Sequence, residues 1–376
     1  MDMNSALALL GGLSPPTFMR RHWQKKPLLV RQAVAGIALP ASRAEIFALA
    51  ARDDVESRLI ECNAQGRWRL RHGPLPRSAL PALSLPGWTL LVQGLDLYVD
   101  AAHEWLARFR FIPAVRLDDL MLSYASDGGG VGPHIDSYDV FLLQVQGRRR
   151  WRYGRTKDPA LRGDVPLKML ARFEPEHDAV LESGDMLYLP PGWAHEGTAV
   201  GGDCMTASIG FRAPRADELA QALFARLADA GDTDSRRARR YADPAQTATL
   251  LPGTVPAALQ RFSIDAVAGA LADPRAIERT LGEWLTEPKA QVWFEPGSGQ
   301  NIGGGVRLDR RTRMAYDAHH IFINGESLRA SGRDASLLRA LADARRLDVR
   351  ALRGASAAAR ALLGEWLASG WLRASV

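Results

Sequence analysis

Three residues of this 376-residue chain have the types and spacing of a metal site. His134 and Asp136 are two apart, and His195 answers them far downstream. On an extended strand successive side chains alternate sides, so a spacing of two puts both groups on one face. Two imidazoles and one carboxylate on one side of a metal leave its remaining positions open, the ligand set of non-haem Fe(II) oxygenases. An isolated His-x-Asp is usually a surface pair, but this one follows the Gly-rich run Asp127 to Pro133 and precedes the apolar run Val140 to Val145. His195 ends Gly184-Asp185-Met186-Leu187-Tyr188-Leu189-Pro190-Pro191-Gly192-Trp193-Ala194-His195, a strand followed by Pro/Gly punctuation.

A second constellation lies between them. After a turn read at Gln146-Gly147, the alternation in Arg148 to Tyr153 places Arg148, Arg150 and Arg152 on one face and Arg149, Trp151 and Tyr153 on the other. Arg149 therefore points inward with the aromatics. A buried guanidinium is costly unless an anion pairs with it, and arginine holds carboxylates in a bidentate fork. The far carboxylate of 2-oxoglutarate is one such anion, and a protein Asp or Glu is the alternative. With Fe(II), O2 and 2-oxoglutarate the chemistry is C–H hydroxylation coupled to decarboxylation to succinate and CO2. Period two also turns Tyr138 toward the metal cavity, unless it is a core aromatic. His22, His72, His103, His177, His319 and His320 have no ligand spacing and read as solvated or core histidines.

These residues need a β-rich scaffold. Leu28–Val30, Trp88–Val92, Leu120–Tyr124, Val140–Val145, Met186–Leu189 and Thr206–Phe211 are short apolar segments between turn signals, as in a barrel or sandwich. Helical stretches are predicted near Arg43 to Ala51 and Asp100 to Ala107. Past Pro214 the period changes: Leu219, Ala220, Leu223, Phe224 and Leu227 recur at helical spacing, with further helices at about 255–271 and 273–286. Their apolar faces call for a partner, the barrel or a second copy of the chain. From about 288, Val292-Trp293-Phe294 reads as a strand, Asn324-Gly325 as a hairpin turn, and about 335–344 and 356–367 as helices. This arrangement resembles a winged helix.

Length exceeds one compact core. Hydrophobic content of 47% with 24% charged residues is ordinary for a globular protein, and no apolar run is long enough to cross a bilayer. Cys62 and Cys204 are the only cysteines and form neither a zinc clip nor a redox pair, so reduced thiols in a cytoplasmic protein are expected. Met1-Asp2-Met3-Asn4 lacks a basic leader, so no signal peptide is expected. A net charge of +6 permits but does not demand nucleic-acid proximity. The densest basic cluster is Arg236-Arg237-Ala238-Arg239-Arg240, a weak RNA motif.

Val131 to Phe141, Gly147 to Trp151 and Pro190 to Glu196 resemble the bacterial JmjC-type ribosomal oxygenases, and Phe18, Trp23 and Lys25 to Arg31 match that family's N-terminal segment. The resemblance implies a double-stranded β-helix (cupin/JmjC) barrel over 1–213, a helical dimerisation domain over 214–287 and a winged-helix-like domain over 288–376. It implies Fe(II)- and 2-oxoglutarate-dependent 3-hydroxylation of an arginine in a large-subunit ribosomal protein, by a homodimer. His134, Asp136 and His195 match the metal ligands, and Arg149 the residue holding the 2-oxoglutarate carboxylate. The family's substrate pocket falls on Asp119, Met121, Tyr138 and Ser208. Asp119 suits a guanidinium partner, although it could simply cap a strand. Direct nucleic-acid binding is not expected, because the last helix carries few basic side chains. Competing readings are a 2-oxoglutarate oxygenase acting on histidine or lysine of another protein, and a non-catalytic cupin transcription regulator.

Overall fold

The computed structural model describes residues 2–375 apart from 231–239, 245–247, 249–252 and 298–303. Arg236 to Arg239 of the basic cluster thus lie outside the described residues. The described chain divides into two compact units, Met1–Ala213 and Pro214–Val376.

The first unit contains α1 (Pro15–Arg21), β1 (Leu28–Val30), α2 (Arg43–Ala50), β2 (Ser57–Cys62), β3 (Trp68–His72), β4 (Trp88–Val92), α3 (Asp100–Trp105), β5 (Leu117–Ala125), β6 (His134–Ile135), β7 (Asp139–Gly154), β8 (His177–Leu181), β9 (Met186–Leu189) and β10 (Ala194–Phe211). Local sequence chemistry explains the helix starts. Pro15 opens α1, and Ser42 with Glu45 forms a reciprocal capping box on α2. The strands pair antiparallel in the order β1-β9-β7-β10-β5-β4-β2-β3, with β6 added to β10 and β8 to β7. The long strands serve both walls of a cupin-type jelly roll. The first half of β7 pairs with β9 and its second half with β8. β10 runs beside it throughout and takes β6 and β5 at its two ends. Phe18 of α1 and Ile46 of α2 pack in one buried cluster with Trp88, Leu122, Phe141, Tyr188 and Phe211 of the strands.

The turn predicted at Gln146-Gly147 is not a turn. β7 continues through it, and the irregularity falls on its partner, whose register jumps from Val200↔Arg148 to Met205↔Gln146. Gly147 has φ +67°, and a Cβ there would lie 2.9 Å from the Asp203 carbonyl. The glycine signal marks a bulge rather than a chain reversal.

The second unit holds α4 (Ala216–Ala230), α5 (Ala257–Ala270), α6 (Pro274–Thr286), β11 (Val306–Leu308), β12 (Met314–Tyr316), β13 (Ile321–Ile323), β14 (Glu326–Leu328), α7 (Gly332–Ala344), β15 (Arg346–Leu347), α8 (Val349–Arg353), α9 (Ala357–Ala368) and β16 (Leu372–Ala374). Asn324 and Gly325 take φ +49° and +88°, as a two-residue hairpin requires. Two three-stranded sheets form, β15-β11-β16 and β12-β13-β14. The sequence division at 287/288 separates α6 from the hairpin. In the structure α6 packs on β12, β13 and β14, and Ser327 donates to Glu283 at 2.6 Å. The strand predicted at Val292 to Phe294 does not form. No described strand pairs with it, Trp293 is exposed, and its carbonyl instead accepts from Arg311 at 2.8 Å.

Candidate metal centre and its surroundings

β6 and β10 are adjacent and antiparallel, and His134 stands directly opposite His195. Their ring centroids are 4.2 Å apart. Asp136 directly follows β6, and its carboxylate lies on the same side as His134, as a spacing of two in extended chain requires. Its carbonyl accepts from Gly192 N–H at 2.9 Å, which ties the Pro/Gly turn before His195 to the first ligand pair. The carboxylate oxygens lie 3.8 Å from His134 Nε2 and 3.5 Å from His195 Nε2. One ligand atom from each residue lies within 4.8 Å of the others.

Each imidazole is aimed in the same way. His134 Nδ1–H donates to the Gly132 carbonyl, and His195 Nδ1–H to the Trp193 carbonyl, both at 3.0 Å. This fixes the tautomer and leaves each Nε2 lone pair facing Asp136. Burial, and then the neighbouring His134, pull His195 down to about 4, against the opposing pull of Asp136. A neutral imidazole is what a metal requires. Two such nitrogens and a carboxylate, gathered on one side, fit a divalent iron-type ion. The carbonyl partners sit two residues before each histidine, a signal available in Gly132-Pro133-His134 and Trp193-Ala194-His195 that sequence reasoning missed.

Alternation along the second half of β7 is as expected. Arg149, Trp151 and Tyr153 are buried, while Arg150 and Arg152 face out to Asp178 and Glu196. Arg149 is 3% exposed, yet its Nε and Nη2 have no hydrogen-bond partner among the described residues. No carboxylate among the described residues accepts from them, which disfavours an internal salt bridge. Buried, orphaned donors of this kind fit an anion supplied from outside the chain.

The four pocket residues are brought together. Met121 on β5 is the register partner of Ser208 on β10. The Tyr138 ring packs over Gly210, two residues further along β10. Tyr138 lies in the bend that follows Asp136, so periodicity does not place it, and it packs beside the apolar cluster of Val140 and Leu142. Burial, and then the Asp136 and Asp119 carboxylates, push its hydroxyl above the ordinary range, so it stays a neutral donor. Asp119 is 5% exposed and accepts from Gly94 N–H at 2.9 Å.

A jelly-roll barrel with two histidines and a carboxylate facing one another inside it defines the class: a cupin barrel built to hold a divalent metal. Residues 104–219 match the JmjC domain family, and residues 269–373 the ROXA-like winged helix. The Escherichia coli ribosomal protein uL16 3-hydroxylase is 41% identical over 208 residues, covering 55% of each chain. The matches to it and to a probable ribosomal oxygenase of Haemophilus influenzae span about half the length of these curated relatives. A crystal structure of the Escherichia coli ribosomal oxygenase YcfD superimposes with TM-score 0.81 at 30% identity, covering 96% of this chain and 98% of that one. A YcfD structure in complex with cobalt and 2-oxoglutarate gives TM-score 0.81 at 29% identity, with the same coverage. This chain belongs to the JmjC-type ribosomal oxygenase family.

Proposed function

We propose that this chain is an Fe(II)- and 2-oxoglutarate-dependent oxygenase that hydroxylates C3 of an arginine side chain in a large-subunit ribosomal protein. The observation that carries the reading is the pairing of the His134–Asp136–His195 cluster with the orphaned guanidinium of Arg149 in one barrel. When bound, the metal would activate O2, the oxidant, with 2-oxoglutarate giving up two electrons as it becomes succinate and CO2, one oxygen atom entering succinate and the other the substrate C–H bond. The chain's own residues do the rest. His134, Asp136 and His195 would hold the ion. Arg149 holds the far carboxylate and so orients the co-substrate. Asp119 offers negative charge to a cationic side chain, with Met121, Tyr138 and Ser208 around it. Apolar walls including Leu142, Leu187 and Leu189 keep water out.

Incubation with Fe(II), 2-oxoglutarate and a peptide of the ribosomal protein tests this. An arginine-containing peptide gains one oxygen atom with stoichiometric succinate, and His134→Ala abolishes both. Turnover only with lysine or histidine peptides would move the assignment to another side chain. No turnover would leave a binding protein.

The proposal extends to the assembly. Phe224 on α4 and Ile264 and Val267 on α5 are large apolar side chains left exposed on one chain, which supports a homodimer through these helices. No helix among the described residues is long and apolar enough to cross a membrane. A cytoplasmic site of action follows from the proposed ribosomal substrate. The winged-helix unit is assigned a protein-contact role rather than direct nucleic-acid binding.

A further inference from the structure

The paired strands β7 and β10 present three facing rows toward the barrel interior: Tyr153 with His195, Trp151 with Gly197, and Arg149 with Ala199. His195 holds the metal end and Arg149 the carboxylate end. The middle row is asymmetric, an indole against no side chain at all. Trp151 lies 5.9 Å from the His195 ring, and the Arg149 guanidinium carbon lies 5.7 Å from the indole. The indole therefore lines the wall between the two ends, and it steadies the guanidinium through its π face.

Its orientation is set by Gly197. A Cβ at that position would lie 2.7 Å from Trp151 Cη2 and Cζ3 and 2.9 Å from Cε3. Three consecutive ring carbons at near-equal distances put that position over the benzo face, so the indole lies flat on the glycine, with its N–H in the ring plane and not directed at Gly197. That N–H is buried and has no partner among the described residues, like Arg149 Nε and Nη2 two residues away on the same face. Three unsatisfied buried N–H groups in one short stretch of wall are costly unless a ligand accepts from them.

We infer that Trp151 is a second co-substrate-binding residue, whose indole N–H donates to the distal carboxylate of a 2-oxo diacid beside Arg149, with Gly197 providing the clearance that holds the indole in place. The inference rests on the reading of Arg149 as the carboxylate anchor. Arginine alone would attract any anion. An added N–H on the side toward the metal fixes where along the wall that carboxylate stops.

Binding measured anaerobically by calorimetry on the Co(II)-loaded full chain tests this without turnover. Two probes are compared: 2-oxoglutarate, and 2-oxopentanoate, which has the same carbon chain but lacks the distal carboxylate. Trp151→Phe keeps the ring and removes the N–H. It is expected to weaken 2-oxoglutarate about tenfold or more, with 2-oxopentanoate and Co(II) affinities within about twofold of wild type. Gly197→Ala, which displaces the indole, is expected to give the same selective loss and decides the question should the first variant fail to bind Co(II). Equal losses for both probes, or no loss for 2-oxoglutarate, would overturn the inference. Arg149→Ala separates the two layers. If it loses 2-oxoglutarate selectively while Trp151→Phe does not, only this inference falls. If neither variant loses it, the anchor reading falls and takes the inference with it.

Discussion

His134 and His195 are cross-strand partners on β6 and β10, with ring centroids 4.2 Å apart and each Nδ1–H bonded to the carbonyl two residues earlier. The pair is pre-aimed by backbone carbonyls, so loss of either ring removes one of the two nitrogens that face Asp136. His134→Ala is expected to lower Co(II) affinity by two orders of magnitude or more and to abolish hydroxylation, while far-UV circular dichroism is unchanged. Metal titration checks it, and retained affinity would remove His134 from the ligand set.

The metal-free protein should be acid-sensitive in a defined window. His195 has a folded value near 4 against an ordinary 6.5, set first by burial. Between those values the unfolded chain takes up a proton that the folded chain refuses. Stability contributed by the neutral ring is complete above about pH 6.5 and is lost as pH falls toward 4, by up to about 3 kcal/mol. Melting of metal-free protein at pH 7 and pH 5 reads this, and His195→Asn should flatten the slope. An unchanged slope in that variant would assign the acid sensitivity elsewhere.

Arg149→Ala separates co-substrate from metal. Removing a charge-assisted fork of hydrogen bonds costs about 1.5–3 kcal/mol, so the 2-oxoglutarate concentration needed for half-maximal rate should rise tenfold or more. Co(II) affinity should stay within about twofold. A rise in the metal requirement of similar size would mean that Arg149 supports the barrel rather than the ligand.

How far these assignments were legible depends on how local each signal is. The buried Arg149, Trp151 and Tyr153 follow from period two within one strand, and the Asn324-Gly325 hairpin from two residues whose positive φ is cheap. His134 and Asp136 were legible as a pair because residues two apart in extended chain share a face, whereas the bend at 137–138 takes Tyr138 out of that rule. Gln146-Gly147 misled because the same glycine signal serves a bulge, and the extra residues lie on β10, far away in sequence. β2 and β3 passed unseen because Arg58, Glu61, Arg69 and Arg71 break their apolar runs, while cross-strand neighbours such as Glu61 and Arg71, 3.5 Å apart, offset those charges only once folded. The division at 287/288 missed the packing of α6 on the hairpin, since an amphipathic face does not say which surface it covers.

Gly132 links that local chemistry to an element with no ligand of its own. Its carbonyl holds His134, its φ is +73°, and a Cβ there would clash with Met169 Cε. Gly132→Ala must strain the backbone and displace Met169, at about 1–3 kcal/mol. The expected outcome is a lower melting temperature together with weaker Co(II) binding, partly relieved by Met169→Ala. Melting without any change in metal affinity would uncouple this loop from the centre.

The apolar side chains left exposed on α4 and on α5 give the last test. Phe224 is 53%, Ile264 67% and Val267 62% exposed in the single chain. Exposing three such side chains to water is unfavourable by roughly 25 cal/mol per Å2 of apolar surface, and burial against a second copy would recover it. Ile264→Asp would place a carboxylate in that interface, which is costly to bury without a cationic partner. Analytical ultracentrifugation should find wild type as a dimer and Ile264→Asp as a folded monomer, with Co(II) binding unchanged because the ligands lie in the other unit. A wild-type monomer at micromolar concentration would contradict the assembly, whereas a variant that stays dimeric would move the interface off this face.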